Sequence, residues 1–496
     1  MRFSFDIKDF VDHQIESEKL AVISEEEELT WLAFESRVNA LCQFFKARDW
    51  NKTGRPVIIY GHKEVDMIVA IYACMKMEIP YIPVDVVYPR ERVISVYKIA
   101  EVDLVINCTG KSLALPGTTE ISLSQKDILF TQESHRLPVV STRENDPLVY
   151  LIFTSGSTGE PKGVQISAEA VRTFVDWMVS DFRFAAQDVF INVAIFSFDL
   201  SVYELMTFGA LGATLLLSSK ATTDNPELFL QRIEKYTGTV WVSTPSFAFI
   251  YSRMESESRM DSVRFFLFCG EVLSHPLAAA LHKNFTSAII YNTYGPTEAT
   301  VATTLIEITA DILDKYNPLP VGYPKPESQV IIDEGEIVII GKNVSVGYLN
   351  RPDLNEAKFV QIGGERAFKT GDKGYYTDGM LFCSGRTDDQ VKLHGYRIEL
   401  NEITSQIHLL DFVGQAETIA LQRNGEVKKI VSLVELKPEF KADGNGEESK
   451  NKIKEFLSQK LPVYMIPADI KIIPRIPLNQ NGKADKKQLL EIYLKG

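Results

Sequence analysis

The chain has 496 residues, 45% hydrophobic and 24% charged, with 66 acidic against 53 basic side chains and a net charge of −13. That length exceeds what one hydrophobic core organises and predicts two or three domains, while the composition excludes a disordered or fibrous protein. The acidic balance argues against a nucleic-acid partner, because phosphate affinity comes from clustered Lys and Arg. No apolar run approaches the roughly 18–20 residues that span a bilayer, so no membrane insertion is expected. The five cysteines Cys42, Cys74, Cys108, Cys269 and Cys383 form no CxxC pair, and "MRFSFDIKDFVDHQIESEKL" at the start has no apolar stretch behind a basic one. A reduced, cytoplasmic protein without structural zinc is expected.

In chain order, short runs rich in β-branched and aromatic residues read as strands: "RPVIIYG" (55–61), "VDLVINC" (102–108), "LVYLIF" (148–153), "ATLLLS" (213–218), "TVWVST" (239–244), "VRFFLFCG" (263–270) and "SAIIYNTYG" (287–295). Between them lie helix-like stretches, among them "EVDMIVAIYACMKM" (64–77) and "SVYELMTFGALG" (201–212). Near-continuous apolar strands separated by helices predict an α/β fold with parallel-rich sheets buried on both faces, whose ligands sit beyond the carboxyl ends of the strands. From about residue 329 the texture changes to "SQVIIDEGEIVIIGKNVSVGYLN" and "AFKTGDKGYYTDGMLFCSGR", short strands with frequent turns, which predicts a small antiparallel β-barrel near 329–385. After Arg386 strands and helices return over roughly 110 residues, the size of a compact α+β domain. This tail carries 18 basic and 16 acidic residues, a charge of +2 after a body of −15. Its lysines read equally as a basic face for an acidic partner and as ordinary solvated surface.

The stretch "TSGSTGEPKG" (154–163) follows the strand-like "LVYLIF". A Walker loop needs G-x-x-x-x-G-K-[ST] with a helix starting at the lysine, and Gly156, Gly159 and Gly163 do not fit that spacing. Pro161 directly before Lys162 removes a donor and disfavours helical dihedrals in the residue before it. The loop still suits phosphate through exposed backbone N–H groups, the hydroxyls of Thr154, Ser155, Ser157 and Thr158, and the charge of Lys162. Composition alone also allows a flexible surface linker.

"LVYLIFTSGSTGEPKGVQIS" resembles the signature of the adenylate-forming superfamily, and "NTYGPTEAT" (292–300), "FKTGDKG" (368–374), "GRTDDQVKLHGYRIELNEI" (385–403) and "PLNQNGKADKKQL" (477–489) resemble its further motifs in order. The resemblance spans essentially the whole chain. It implies a two-step ligase: a carboxylate and ATP give an acyl-adenylate and pyrophosphate, then a thiol takes the acyl group. It implies an N-terminal adenylation core over 1–385 that includes the small barrel, a hinge over 386–391 at Asp388, and a small mobile C-terminal domain over 392–496. Carried over by motif, Lys483 is the catalytic lysine, and Thr154, Ser155, Ser157 and Thr158 hold the β/γ-phosphates with Lys162 in support. Asn292 meets the adenine amino group, Tyr294 stacks on the ring, Thr297 reaches the α-phosphate, Glu298 binds Mg²⁺, and Asp372 with Arg386 binds the ribose.

"FSFDLSV" (196–202) places Asp199, beside Phe198, where amino-acid-activating members bind the substrate ammonium. A buried carboxylate there has no use for a plain fatty acid and costs several kcal/mol unpaired. This segment, "YGHKEVDMIVAIYACMKMEIPYIPVD" (60–85), "STPSF" (243–247), "FCGEVL" (268–273) and "YNTYGPTEATVA" (291–302) look like the members that load D-alanine onto a carrier protein. The likeness implies that Cys269, Val301 and Gly295 shape a small pocket for a methyl group, with D-alanine the favoured substrate and an acidic phosphopantetheinylated carrier protein the acceptor. Ile195 stands where those members have proline, and Tyr203-Glu204 where they have Met-Asp. A freestanding peptide-synthetase adenylation domain for glycine, L-alanine or serine is the second reading, and a non-catalytic carrier-binding scaffold the third.

Overall fold

The computed structural model describes residues 18–123, 146–156, 160–252, 257–423, 426–440, 446–478 and 484–495. They divide into two compact units: residues up to 86, 99–152 and 163–387 in one, and 87–98, 153–162 and 388–496 in the other.

The first unit is built on two large sheets. One has nine strands, in the order Tyr323–Pro324, Thr304–Glu307, Ile289–Tyr294, Phe265–Phe268, Val240–Ser243, Val189–Asn192, Thr214–Leu217, Leu20–Ile23 and Glu28–Thr30. The six strands from Ile289–Tyr294 to Leu20–Ile23 pair in parallel. Their apolar runs are buried without alternation because helices cover both faces. The second sheet runs Gly347–Tyr348, Lys162–Ser167, Leu148–Thr154, Tyr81–Asp85, Val57–Gly61, Leu104–Asn107 and Thr119–Ser122. The helix Val65–Lys76 is buried at every position, as a helix apolar all round must be. Tyr72 in it donates to the Leu205 carbonyl at 2.6 Å, tying it to the helix Val202–Leu211.

The antiparallel unit expected near 329–385 takes the form of a five-stranded sheet: Ser328–Asp333, Glu336–Gly341, Phe359–Ile362, Met380–Arg386 and the long strand Glu365–Thr377, which pairs with the last three. A register shift between Lys373 and Gly374 lets the two halves of the long strand serve different neighbours.

In the second unit a hairpin, Gln390–Leu393 with Tyr396–Glu399, leads into the helix Leu400–His408. Val413–Arg423 then pairs antiparallel with Glu426–Leu436, which pairs in parallel with Asp469–Ile472. One face of this sheet packs Ile403, Ile407, Ile453 and Leu457 against Val434 and Ile470; the other packs Leu489 against Ile419, Val431 and Leu433. The unit therefore has an α+β core of its own. Among the described residues no helix is long and apolar enough to cross a membrane.

Candidate active site

Parallel register determines which side chains converge. Asn192 lies beside Val242, and Phe268 beside Asn292, so the strands Val189–Asn192, Val240–Ser243, Phe265–Phe268 and Ile289–Tyr294 end at one edge of the nine-stranded sheet. The segments leaving that edge carry Asp199, Cys269 and Gly295–Val301, the arrangement by which open α/β sheets gather ligand-binding groups.

The motif "NTYGPTEAT" begins on Ile289–Tyr294 and turns back into Thr304–Glu307, with Tyr294 opposite Thr304. The turn is tight. A β-carbon on Gly295 would lie 2.5 Å from the Ala302 α-carbon, so only glycine fits. Thr297 and Glu298 sit in a single 3₁₀ turn, and Thr300 and Val301 follow at φ of 54° and 68°. A β-branched residue at positive φ is strained, and such strain persists where its surroundings enforce it. Glu298 is fully buried and accepts a hydrogen bond from the Tyr348 hydroxyl at 2.6 Å.

Asp372 and Arg386, separated in sequence, are direct register partners on Glu365–Thr377 and Met380–Arg386. The Arg386 guanidinium donates to one oxygen of Asp372, and the Tyr294 hydroxyl donates to the other at 2.7 Å. Burial, and after it the Asp372 charge, pushes the Tyr294 phenol well above its ordinary pKa, so it stays a donor. The Asn292 amide nitrogen donates to the Pro320 carbonyl at 2.7 Å. Asp372, Arg386 and Tyr294 thus form one bonded group, and Asn292 is fixed separately through Pro320.

Cys269 and Val301 also meet, the thiol lying 3.9 Å from the Val301 carbonyl. Tyr203 shares a hydrogen bond of 2.7 Å with Thr293, which donates to the Phe268 carbonyl at 2.8 Å. Burial, then the nearby Cys269, pushes the Tyr203 phenol well above its usual range, with Asp199 a weaker contributor. Asp199 is buried at the start of the 3₁₀ turn Asp199–Ser201, directly after Phe198.

The glycine loop belongs to the second unit. Lys162 is the first residue of the strand Lys162–Ser167, so no helix begins at the lysine. Its buried ammonium pairs with Glu399 at 3.2 Å, and the same oxygen of Glu399 accepts from Gln390 at 2.7 Å. Ser155 donates to the Arg397 carbonyl at 2.8 Å, and the Gly156 N–H donates to Glu402 at 3.0 Å. The buried Arg92 holds the other oxygen of Glu402 at 2.7 Å. The Thr154 hydroxyl is buried with no hydrogen-bond partner among the described residues. Ser157, Thr158 and Lys483 lie outside the described residues. Asp388 opens the second unit's last segment, where its side chain accepts from the Gln390 N–H at 3.3 Å.

A family model described as AMP-binding enzyme matches residues 11–349. The chain belongs to the AMP-binding enzyme family. It is 39% identical to a D-alanine–D-alanyl carrier protein ligase of Bacillus licheniformis, with 96% of this chain and 97% of the relative covered. A ligase of the same description from Bacillus cytotoxicus is 37% identical, with 95% and 96% covered. Among solved structures, the Vibrio cholerae adenylation domain AlmE, in complex with glycyl-adenosine-5'-phosphate, superposes with a TM-score of 0.83 at 20% identity, covering 99% of this chain and 97% of that one. An o-succinylbenzoate CoA synthetase from Bacillus subtilis superposes at 0.82 and 19% identity, covering 97% and 98%. The fold is therefore that of the AMP-binding enzymes.

Three features of this AMP-binding chain escape sequence reasoning. Tyr348, Lys63 and Lys325 are given no role by the sequence, yet each holds a group at or beside the candidate site: Tyr348 on Glu298, Lys63 on the Ala194 carbonyl, and Lys325 on the Ala302 carbonyl at 2.8 Å. Among the described residues no three His, Cys, Asp or Glu side chains gather into a metal cage.

Proposed function

We propose that this protein activates D-alanine with ATP as D-alanyl-adenylate, releasing pyrophosphate, and then transfers the D-alanyl group to the phosphopantetheine thiol of an acidic carrier protein, releasing AMP. The observation that carries this reading is the 39% identity, over nearly all of both chains, to a D-alanine–D-alanyl carrier protein ligase. Adenylation brings a carboxylate and a triphosphate together, two anions that repel, so the chain must supply cations and positioned donors.

Asp372 accepts from the ribose hydroxyls, oriented by Tyr294 and Arg386, which occupy its two oxygens from the protein side. The Asn292 amide nitrogen is spent on Pro320, which leaves its carbonyl oxygen as the acceptor for the adenine amino group over the Tyr294 ring. Thr154, whose buried hydroxyl has no partner among the described residues, holds the β/γ-phosphates with Ser155, Ser157 and Thr158. Lys162, paired with Glu399, supports that loop. Thr297 reaches the α-phosphate, and Glu298, oriented by Tyr348, supplies hard carboxylate oxygen to Mg²⁺, which when bound neutralises phosphate charge. Asp199 pairs with the substrate ammonium; Cys269, Val301, Phe198 and the close turn at Gly295 confine the methyl group.

Lys483 bridges the α-phosphate and the substrate carboxylate. The chain works as a core over 1–385, a hinge over 386–391 at Asp388 and a mobile domain over 392–496 that withdraws Lys483 between the half-reactions. Its near-neutral, lysine-rich surface suits an acidic carrier. The reading includes a cytoplasmic location, where ATP is supplied. Incubation with ATP, Mg²⁺, D-alanine and a phosphopantetheinylated acidic carrier protein, read by intact mass, tests the reading. The expected result is a carrier heavier by one alanyl group; a carrier left unmodified with D-alanine, or loaded only with another amino acid, removes the proposal.

A further inference from the structure

Lys63 is a buried cation that the reaction described above does not use. Lys63 follows the strand Val57–Gly61 and is only 4% exposed. Its ammonium donates to the side-chain carbonyl of Asn192 and to the backbone carbonyl of Ala194, and lies 4.4 Å from the centre of the Phe196 ring. Asn192, the last residue of Val189–Asn192, turns its amide nitrogen to Glu204 at 3.1 Å and to the Ala194 carbonyl at 3.4 Å. Glu204, on the helix Val202–Leu211, is fully buried, and its second oxygen has no hydrogen-bond partner among the described residues.

Lys63 and Asn192 thus both grip residues 194–196, and Glu204 holds Asn192 from behind. From there the grip passes along the backbone: the Phe198 N–H donates to the Ile195 carbonyl at 3.0 Å, and the Ser201 N–H to the Phe198 carbonyl at 3.1 Å, bracketing Asp199. A buried lysine is expensive, and an apolar side chain of similar volume would pack there at lower cost. Stability therefore gives no reason for its presence, whereas control of a neighbouring backbone does.

We infer that Lys63 is a positioning residue for amino-acid binding, its ammonium fixing the segment 194–199 so that Asp199 meets the substrate ammonium in one geometry. The inference rests on the reading of Asp199 as the amino-acid anchor. It carries a pH signature. Burial pulls the Lys63 ammonium down to about 8 against the opposing charges of Glu204, Asp85 and Glu25, and burial pushes Glu204 up to about 8. Glu204 faces Lys63 from its helix, Asp85 from the end of Tyr81–Asp85, where His62 lies 2.9 Å away, and Glu25 from the turn after Leu20–Ile23. Below pH 8 the clamp is charged and holds; above it the proton leaves and the clamp loosens.

The test is D-alanine-dependent pyrophosphate exchange by the full chain and by Lys63→Met, Lys63→Arg and Glu204→Gln, at pH values on both sides of 8. Lys63→Met should raise the KM for D-alanine by roughly tenfold at neutral pH, the worth of a charged hydrogen bond, with the KM for ATP unchanged. The rise in KM through pH 8 seen in the parent should be absent from Lys63→Met and displaced to higher pH in Lys63→Arg, whose guanidinium stays charged. Glu204→Gln keeps an acceptor for Asn192 but removes the carboxylate beside the ammonium, so its rise should fall at lower pH. A parental KM in Lys63→Met, or a pH profile parallel to the parent's, overturns the role; should Lys63→Met not fold, an unmoved profile in Glu204→Gln does so. A parent that exchanges with no amino acid overturns the anchor reading and this role together, whereas an active parent with an indifferent Lys63→Met overturns the role alone.

Discussion

Asp372 illustrates how much a single carboxylate depends on its neighbours. Arg386 and Tyr294 each hold one oxygen, and in the proposed role the remaining lone pairs accept from a diol. Asp372→Asn should lower kcat/KM for ATP by roughly ten- to hundredfold, because a charged acceptor is lost, whereas Tyr294→Phe should cost less than about tenfold. Comparable losses in the two variants would show that Asp372 acts only as a partner for the tyrosine. Lys325 gives a second residue-scale test. Its ammonium is buried among Phe174, Trp177 and the Ala302 carbonyl, and burial pulls it from 10.5 down to about 7. An unfolded lysine binds a proton that the folded one refuses between those values, so Lys325 makes the protein more stable as pH rises from about 7 and less stable as it falls back. Relative to Lys325→Met, the parent's melting temperature should gain roughly 1–3 °C between pH 7 and 9. Parallel curves would refute the depressed ammonium.

At the scale of elements, the glycine loop is where sequence reasoning succeeds for a stated physical reason. The glycine spacing does not fit a Walker loop, and the lysine begins the strand Lys162–Ser167 rather than a helix. The apolar runs quoted from the sequence fall on Val57–Gly61, Leu104–Asn107, Leu148–Thr154, Thr214–Leu217, Val240–Ser243, Phe265–Phe268 and Ile289–Tyr294, because strands buried on both faces leave continuous hydrophobic text. Buried charges leave no such trace. Nothing local marks Lys63 as buried, since lysine is almost never fully buried, and its partner Asn192 is 129 residues away. Arg92 and Glu402, 310 residues apart, are equally silent until the chain folds. Asp372 and Arg386 stand between these cases: their motifs are legible, but their contact follows from a strand register that no local pattern encodes. The loop also offers an element-scale test. A β-carbon on Gly156 would lie 1.9 Å from the Glu160 carbonyl oxygen, so Gly156→Ala must displace the loop. Its KM for ATP should rise more than about tenfold while its melting temperature stays within about 1 °C, since the change sits in a loop outside both large cores. A parental KM would remove the loop from phosphate binding.

At the scale of the whole molecule, two compact units with separate hydrophobic cores suit the proposed alternation, in which one lysine is presented to the adenylation step and then withdrawn. Lys483→Ala should abolish pyrophosphate exchange by several orders of magnitude yet transfer pre-made D-alanyl-adenylate to a carrier thiol, whereas Asp388→Pro should exchange normally and fail in transfer. Equal damage to both steps in either variant would contradict the division of labour. Both experiments presuppose the chemistry of the first step, and that chemistry is tested most directly by pyrophosphate exchange over a panel of D-alanine, L-alanine, glycine and D- and L-serine, with Asp199→Ala alongside. The expected result is exchange that is strongest with D-alanine and lost in Asp199→Ala. Exchange that prefers any other amino acid, or that survives the loss of Asp199, would contradict it.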